Sequence, residues 1–299
     1  MKILESLPLL DKFEKIGILL KPNSPEIEPK FKEIKATFED NNLQVFIESS
    51  SARMIKYENK DEIYDFDDLC KVCDFLVSIG GDGTLISVAR RGFAYDIPVM
   101  GINLGNLGFL TDINPSEIDS FIKKMKVKNY RIDGRMMLEA NLGLGKYVAF
   151  NDVVITRKTI SRMVRVDVSI NGNMANSYNG DGLVISTPTG SSAYNLACGG
   201  PLVFPLTEAM IVTPISPHSL TQRPLVLPVD FELELSTQDL EGMVAIIDGQ
   251  DIYEIKKGDT IKVTMANQKA KLIHRLERNY FDVLAQKLHW GDAGDTSDR

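Results

Sequence analysis

Between residues 15 and 103, short apolar runs alternate with a stretch of helical periodicity, an order that few folds accept. KIGILL (15–20), LQVFIES (43–49), FLVSIG (75–80) and IPVMGIN (97–103) have strand length and are mostly apolar. Between the first two, PKFKEIKATFEDN (29–41) spaces Phe31, Ile34 and Phe38 three and four residues apart, which puts them on one face of a helix. Strands that are apolar on both faces need cover on both sides, and helical connections make them parallel. A parallel sheet clothed by helices is therefore expected here.

After PSEIDSFIKKM (115–125), a helix expected to begin just past Asn114, the texture changes. YRIDGRMMLEANL, YVAFNDVVITR, MVRVDVSIN, GLVIST, FELELS, GMVAIID and TIKVTMA are short, β-rich and separated by Gly, Asn and Asp turns, which reads as an all-β domain. The expected division is 1–125 for an α/β domain, 126–266 for the β domain, and 267–299 for a C-terminal segment. Its helix NYFDVLAQKL (279–288) would return to the first domain. A chain of 299 residues with 43% hydrophobic content can fill two cores.

Composition narrows the function classes. Thirty-four basic against 41 acidic residues leave a net charge of −7, which argues against a nucleic-acid or membrane surface but not against a small anionic ligand held by local cations and backbone N–H groups. No run approaches the roughly 20 apolar residues of a membrane span, and the opening MKILESLPLLDKFEKIG lacks the apolar core of a signal peptide. Cys70, Cys73 and Cys198 suggest no disulfide framework, so a reducing, cytoplasmic setting is expected and the cysteines read as structural. His218, His274 and His289 are scattered and read as packing, loop or surface residues.

The chemistry concentrates at glycine corners. Open α/β sheets bind ligands at the carboxyl ends of their strands, where the following helix offers N–H groups to an anion. Gly80-Gly81-Asp82-Gly83-Thr84 stands at such an end, and GINLGNLGFL (101–110), with Asn106, forms a second corner after the next strand. A phosphate site and a plain structural turn both fit the first corner, since an isolated glycine motif is weak evidence. No Walker A loop and no complete GxGxxG is present. In the β half, Asn151 and Asp152 could read paired hydroxyls or merely open a strand. GDGLVISTPTGSSAYNLACGGP (180–201) clusters hydroxyls and small residues around one ring, Tyr194, a surface suited to a ligand with hydroxyls, phosphates and a flat base.

Taken in order, GGDGT, GINLGNLGFLT, the Asn-Asp pair and DGLVISTPTGSSAY followed by GGP resemble the NAD kinase family over roughly residues 15 to 275. GGDGT alone is shared with diacylglycerol and sphingosine kinases and, in similar form, with phosphofructokinases. The TPTGSxAY element is more specific. The resemblance implies a phosphofructokinase/diacylglycerol-kinase-like α/β domain followed by a β-sandwich, with NAD between them. It implies ATP-dependent phosphorylation of the adenosine-ribose 2′-hydroxyl of NAD, a divalent cation such as Mg²⁺ bridging the ATP phosphates with no assigned protein ligand, and a homodimer or homotetramer.

On this resemblance Asp82 takes the hydroxyl proton and Gly83 lines the same nucleotide site. Asn151 and Asp152 hold NAD, while Asp181 approaches the nicotinamide portion. Thr189, Ser192, Ala193 and Tyr194 surround the dinucleotide, with Arg162 and Gln250 as further contacts. Ser191-Ser192 stands where Ser-Thr is commoner, and Asn195 and Ala197-Cys198 stand where small residues, often serines, are usual. Contacts from Asn195 and Ala197 are expected on position alone. Phosphoryl transfer passes through a loose transition state, so positioning and charge neutralisation matter more than a strong base. The alternatives are a lipid or sphingoid-base kinase sharing only GGDGT and a noncatalytic NADP-sensing protein.

Overall fold

The computed structural model describes residues 6–105, 108–143, 145–158, 163–237, 242–256 and 259–290. The chain divides into two compact units: the first runs to Asp133 and resumes at Lys271, and the second is Gly134–Ala270.

The first unit is built on a seven-stranded sheet. Across it the strands run Ile63–Tyr64, Gln44–Glu48, Lys15–Leu20, Phe75–Gly80, Val99–Asn103, Ala270–His274 and Arg131–Arg135. The first six are parallel to their neighbours. Register places Leu20 beside Ile79 and Gly80 beside Asn103, so three strands end side by side. The chain moves outward from Lys15–Leu20 on one side and then returns to its other side, the kind of switch point at which open α/β sheets hold ligands.

The expected helical face is real. Phe31, Ile34 and Phe38 of helix Glu28–Asp40 are buried with Ile16, Ile18, Phe75, Val77 and Ile79. Phe121, Ile122 and Met125 of helix Ile118–Lys126 join the same core. That helix is entered through a 3-10 turn, Pro115–Glu117, with Asn114 and Glu117 capping each other.

The second unit has two six-stranded antiparallel sheets. One is ordered Asn173–Gly180, Val164–Ile170, Leu233–Ser236, Ile261–Met265, Leu138–Asn141 and Lys146–Ala149. The other is ordered Leu225–Pro228, Ala209–Ile215, Gly182–Ser186, Asp152–Arg157, Met243–Ile247 and Asp251–Glu254. Val164, Val166 and Val168 of the first sheet share one core with Val153, Ile155, Leu183 and Ile185 of the second. Strand Gly182–Ser186 is buried throughout because Val184 packs on its other side with Val154 and Ile215.

The division differs from the expected 126 and 266 in one physical respect. Arg131–Arg135, read from its texture as part of the β half, is the last strand of the first sheet, and Ala270–His274 lies between it and Val99–Asn103. YRIDGRMMLEANL is thus split between the units at residues 133 and 134.

Candidate functional site

In the first unit, strand Phe75–Gly80 gives way through Gly81 to helix Asp82–Gly92. Asp82 therefore sits at the first helical position, where unsatisfied N–H groups favour negative charge. Its carboxylate crosses to the second glycine corner. Oδ1 accepts from the N–H of Leu110 (3.2 Å), the N–H of Thr111 (2.9 Å) and the Thr111 hydroxyl (2.9 Å), while Oδ2 accepts from the N–H of Phe109 (2.7 Å). A carboxylate has about four lone-pair positions shared by two oxygens. Asp82 is anchored chiefly through Oδ1, and Oδ2 keeps acceptor capacity for another donor.

Glycine at 108 is required by this arrangement, because a Cβ there would overlap Asp82 Oδ1 and Thr111 Oγ1. Gly108→Ala is expected to displace the carboxylate and lower kcat by roughly 10- to 100-fold in a steady-state assay. The first corner divides its roles: a Cβ on Gly80 would overlap the buried Thr84 hydroxyl, whereas Gly81 and Gly83 face open space. Gly80 and Thr84 thus shape the turn, and Gly81 and Gly83 leave room for an approaching ligand.

A cavity of about 440 Å³ opens at these strand ends, lined by Gly80, Gly81, Asn103 and Gly105 together with Lys21 and Lys30. The cavity thus has two cationic side chains, Lys21 and Lys30, and one acidic one, Glu26, in its lining. Their stretch, KPNSPEIEPK, carries no phosphate-loop signal, only the prolines of a turn.

In the second unit the Asn-Asp pair is organised by a residue with no local sequence signal. Asp248 has positive φ (52°), and its carboxylate accepts the N–H groups of Phe150 (2.9 Å), Asn151 (2.7 Å) and Asp152 (3.1 Å). The Asn151 carbonyl accepts from the N–H of Thr187 (2.8 Å), and a Cβ on Gly190 would overlap it. The TPTG turn and the Asn-Asp pair are therefore packed against each other. Asp152 is almost fully buried, and burial followed by the neighbouring charge of Asp248 raises its pKa from 3.8 to about 7.

Proton linkage gives this shift a sign. An acid whose pKa is raised by folding binds its proton more tightly in the folded state, so its contribution is fully present below about pH 4 and is lost as pH rises through about 7. Asp152→Asn is expected to gain in melting temperature relative to the parent as pH rises from 5 to 8 on the order of this window, measured by thermal unfolding.

The loop after Gly180 sorts its residues by exposure. Asp181 and Tyr194 are exposed, Tyr194 at 47%. Burial of part of the Tyr194 ring raises its phenol pKa, and Cys198 and the carboxylates of Asp152 and Asp181 add to this, which brings the four groups into one neighbourhood. Ser192 and Ala193 are half-buried, and Ala197 and Gln250 are exposed. The Thr189 hydroxyl is buried without a hydrogen-bond partner. Asn195 departs from expectation: it is fully buried, its Nδ2 donates to the carbonyls of Ser191 (3.0 Å) and Pro201 (3.1 Å), and its Oδ1 accepts from Thr213 (2.6 Å). With these bonds made internally, Asn195 ties the loop to the sheet instead of facing a ligand. Asn106 and Arg162 lie outside the described residues.

Among the described residues no three His, Cys, Asp or Glu side chains converge to hold a metal ion. The three cysteines are free, and burial raises the thiol pKa of Cys70 to about 11 and of Cys73 to about 12, so these two stay protonated. His274, read as isolated, stands instead beside Asp112 (3.3 Å), Asp133 (3.8 Å) and Arg278 (3.0 Å).

Comparison with known proteins places the chain in a family. The model of the ATP-NAD kinase N-terminal domain matches residues 16–130, and that of the ATP-NAD kinase C-terminal domain matches residues 150–275. The chain belongs to the NAD kinase family. It is therefore an enzyme, a kinase that phosphorylates NAD. An NAD kinase of Wolinella succinogenes is 47% identical over 290 residues, covering 95% of this chain and 98% of the relative. One from Sulfurimonas denitrificans is 46% identical over 283 residues, covering 93% and 98%. The NAD kinase fold is also seen in yeast NADH kinase complexed with NADH (TM-score 0.81, 24% identity, 96% of this chain and 89% of that one). It recurs in an Archaeoglobus fulgidus NAD kinase in complex with ATP (TM-score 0.74, 22% identity, 92% and 98%). Similarity along the whole chain gives no support to a lipid kinase sharing GGDGT alone.

Proposed function

We propose that this NAD kinase transfers the terminal phosphoryl group of ATP to the 2′-hydroxyl of the adenosine ribose of NAD, with Asp82 as the group that receives the hydroxyl proton. The observation that carries this reading is the carboxylate fixed by four donors, with acceptor capacity left on Oδ2. The ribose hydroxyl donates to Oδ2, the bond from its oxygen to the γ-phosphorus forms as the bridging P–O bond to ADP breaks, and the proton passes to Asp82. A pre-fixed acceptor supports such a loose transfer by orientation, not by strong basicity.

Lys21 and Lys30, lining the cavity at Gly80 and Gly81, are suited to the donor phosphates, which Gly81 and Gly83 leave room to approach. Mg²⁺ is read as arriving with ATP, since magnesium keeps much of its water and takes few protein ligands beside substrate phosphates. In the second unit Asn151, Asp152, Asp181, Thr189, Ser192, Ala193, Tyr194, Ala197 and Gln250 are assigned to NAD, with Arg162 assigned by position alone, as is Asn106 of the first unit's second glycine corner. The buried Thr189 hydroxyl without a partner and the exposed Tyr194 ring favour a polar, flat ligand. The reading extends to a cytoplasmic homodimer or homotetramer. The reduced cysteines favour the compartment, no helix among the described residues is long and apolar enough to cross a membrane, and the oligomer rests on the family.

The test is an endpoint assay with purified protein, ATP, Mg²⁺ and NAD, in which NADP is read by a strictly NADP-dependent dehydrogenase. Metal-dependent NADP formation is expected. A folded, NAD-binding sample that makes none would overturn the reading in favour of a sensor.

A further inference from the structure

Asp82 is held by the segment Phe109–Thr111, and the question is what holds that segment. The answer lies more than 160 residues later, in the turn between strand Ala270–His274 and helix Tyr280–Leu288. Arg278 donates through Nη2 to the carbonyl of Phe109, through Nη1 to Nε2 of His274 (3.0 Å), and places Nε 3.3 Å from Oδ2 of Asp112. Arg275 donates to the carbonyl of Asp112 and grips Glu117 with both terminal nitrogens (2.8 and 2.7 Å). The Arg278 side chain is only 6% exposed.

A guanidinium can only donate, so His274 Nε2 accepts and the ring proton of the neutral histidine lies on Nδ1, 3.3 Å from Asp112 Oδ2. Burial, then the charge of Arg278, lowers the His274 pKa and keeps the ring neutral. Burial opposes ionisation of Asp112, but His274, Arg278 and Arg275 outweigh it and lower its pKa.

One peptide unit transmits this grip. The carbonyl of Phe109 and the N–H of Leu110 are opposite ends of a single planar group. Arg278 binds the oxygen end, and Asp82 Oδ1 accepts from the N–H end at 3.2 Å. Fixing the oxygen fixes the plane and so the direction of the N–H. A charged donor on the carbonyl also polarises the amide and strengthens the bond at its other end.

We propose that Arg278 is a positioning residue for Asp82, acting through the Phe109–Leu110 peptide with Arg275 bracing the end of the same segment. The proposal rests on the reading of Asp82 as the group facing the ribose hydroxyl. Its signature is a change in turnover with little change in substrate affinity. Arg278→Ala should lose roughly 10- to 100-fold in kcat, the size of effect expected from misplacing a reacting group, with KM for NAD and ATP within about twofold of the parent. Arg278→Lys, which keeps a cationic donor for the carbonyl but loses the fork, should recover much of the loss.

The test measures kcat, both KM values and the melting temperature for Arg278→Ala, Arg278→Lys, Asp82→Asn and the Asp82→Asn, Arg278→Ala double variant, all assayed well below the lowest melting temperature. In the double variant the second substitution should lower residual turnover by no more than about twofold, because residues acting as one unit are not additive. A full multiplicative loss there, or a kcat that follows melting temperature alone, would overturn the proposal. If Arg278→Ala does not fold, Arg278→Met, which fills the space of the stem but has no donor for the Phe109 carbonyl, carries the same comparison: parental kcat in it overturns the proposal, and a reduced kcat with parental KM supports it. Full turnover in Asp82→Asn would instead remove the reading on which the proposal stands.

Discussion

Replacing Asp82 by Asn is expected to lower kcat by two to four orders of magnitude, the usual contribution of a positioned proton acceptor, while NAD binding stays measurable. The four bonds to Asp82 add a stability effect to the kinetic one. If the amide oxygen keeps the Leu110 and Thr111 donors, the new NH₂ group faces the N–H of Phe109, where Oδ2 now accepts at 2.7 Å. Losing that bond costs about 1–2 kcal/mol, a fall of a few degrees in melting temperature for a protein of this size. Steady-state kinetics and thermal unfolding on one preparation separate the effects. A variant that melts slightly earlier but turns over normally would show that Asp82 only pins the second glycine corner.

The second large effect is expected at Asp248. Its carboxylate accepts three consecutive backbone N–H groups, those of Phe150, Asn151 and Asp152. Asp248→Ala orphans all three at the edge of the second core. At about 1–3 kcal/mol for each unsatisfied buried donor, partly offset by the relief of repulsion with Asp152, the net cost is on the order of 3–5 kcal/mol. NAD binding should weaken with it, since Asn151 and Asp152 lose their common anchor. Asp248→Asn is milder, because its oxygen can still serve the Asn151 and Asp152 amides. By removing the charge that helps raise the Asp152 pKa, it should also lower that pKa, measurable by NMR titration of the Asp152 carboxyl. Equal stability of the alanine and asparagine variants would contradict this account.

These residues mark where sequence stops informing. The strand-and-helix order of the first hundred residues was legible because each element follows from a local period: Phe31, Ile34 and Phe38 share a helical face and are buried as that spacing requires. The two glycine corners could be located in the sequence, but not their connection, since the bonds from Phe109–Thr111 to Asp82 span 27 to 29 residues. Asp248 was not legible, because its three bonds reach back nearly a hundred residues and only Gln250 of IDGQ drew notice. Asn195 was expected at the ligand from its position in the motif alone, whereas Thr213 and two carbonyls satisfy it inside the fold. Lys21 sits in an unremarkable proline turn, and RLER (275–278) reads as a charged surface turn until the carbonyls of Phe109 and Asp112 are seen against it.

The slot that strand Ala270–His274 fills bears on how the protein is made. Until this late segment leaves the ribosome, Val99–Asn103 and Arg131–Arg135 have no partner between them, and the nascent first sheet has exposed edges of the kind that recruit other chains. The internal unit, Gly134–Ala270, has all its strands before then. Synthesis therefore closes the middle of the polypeptide before its beginning, the reverse of the usual vectorial order. Arg275 and Arg278 emerge with the closing strand, so a prematurely terminated chain lacks the residues that steady Asp82.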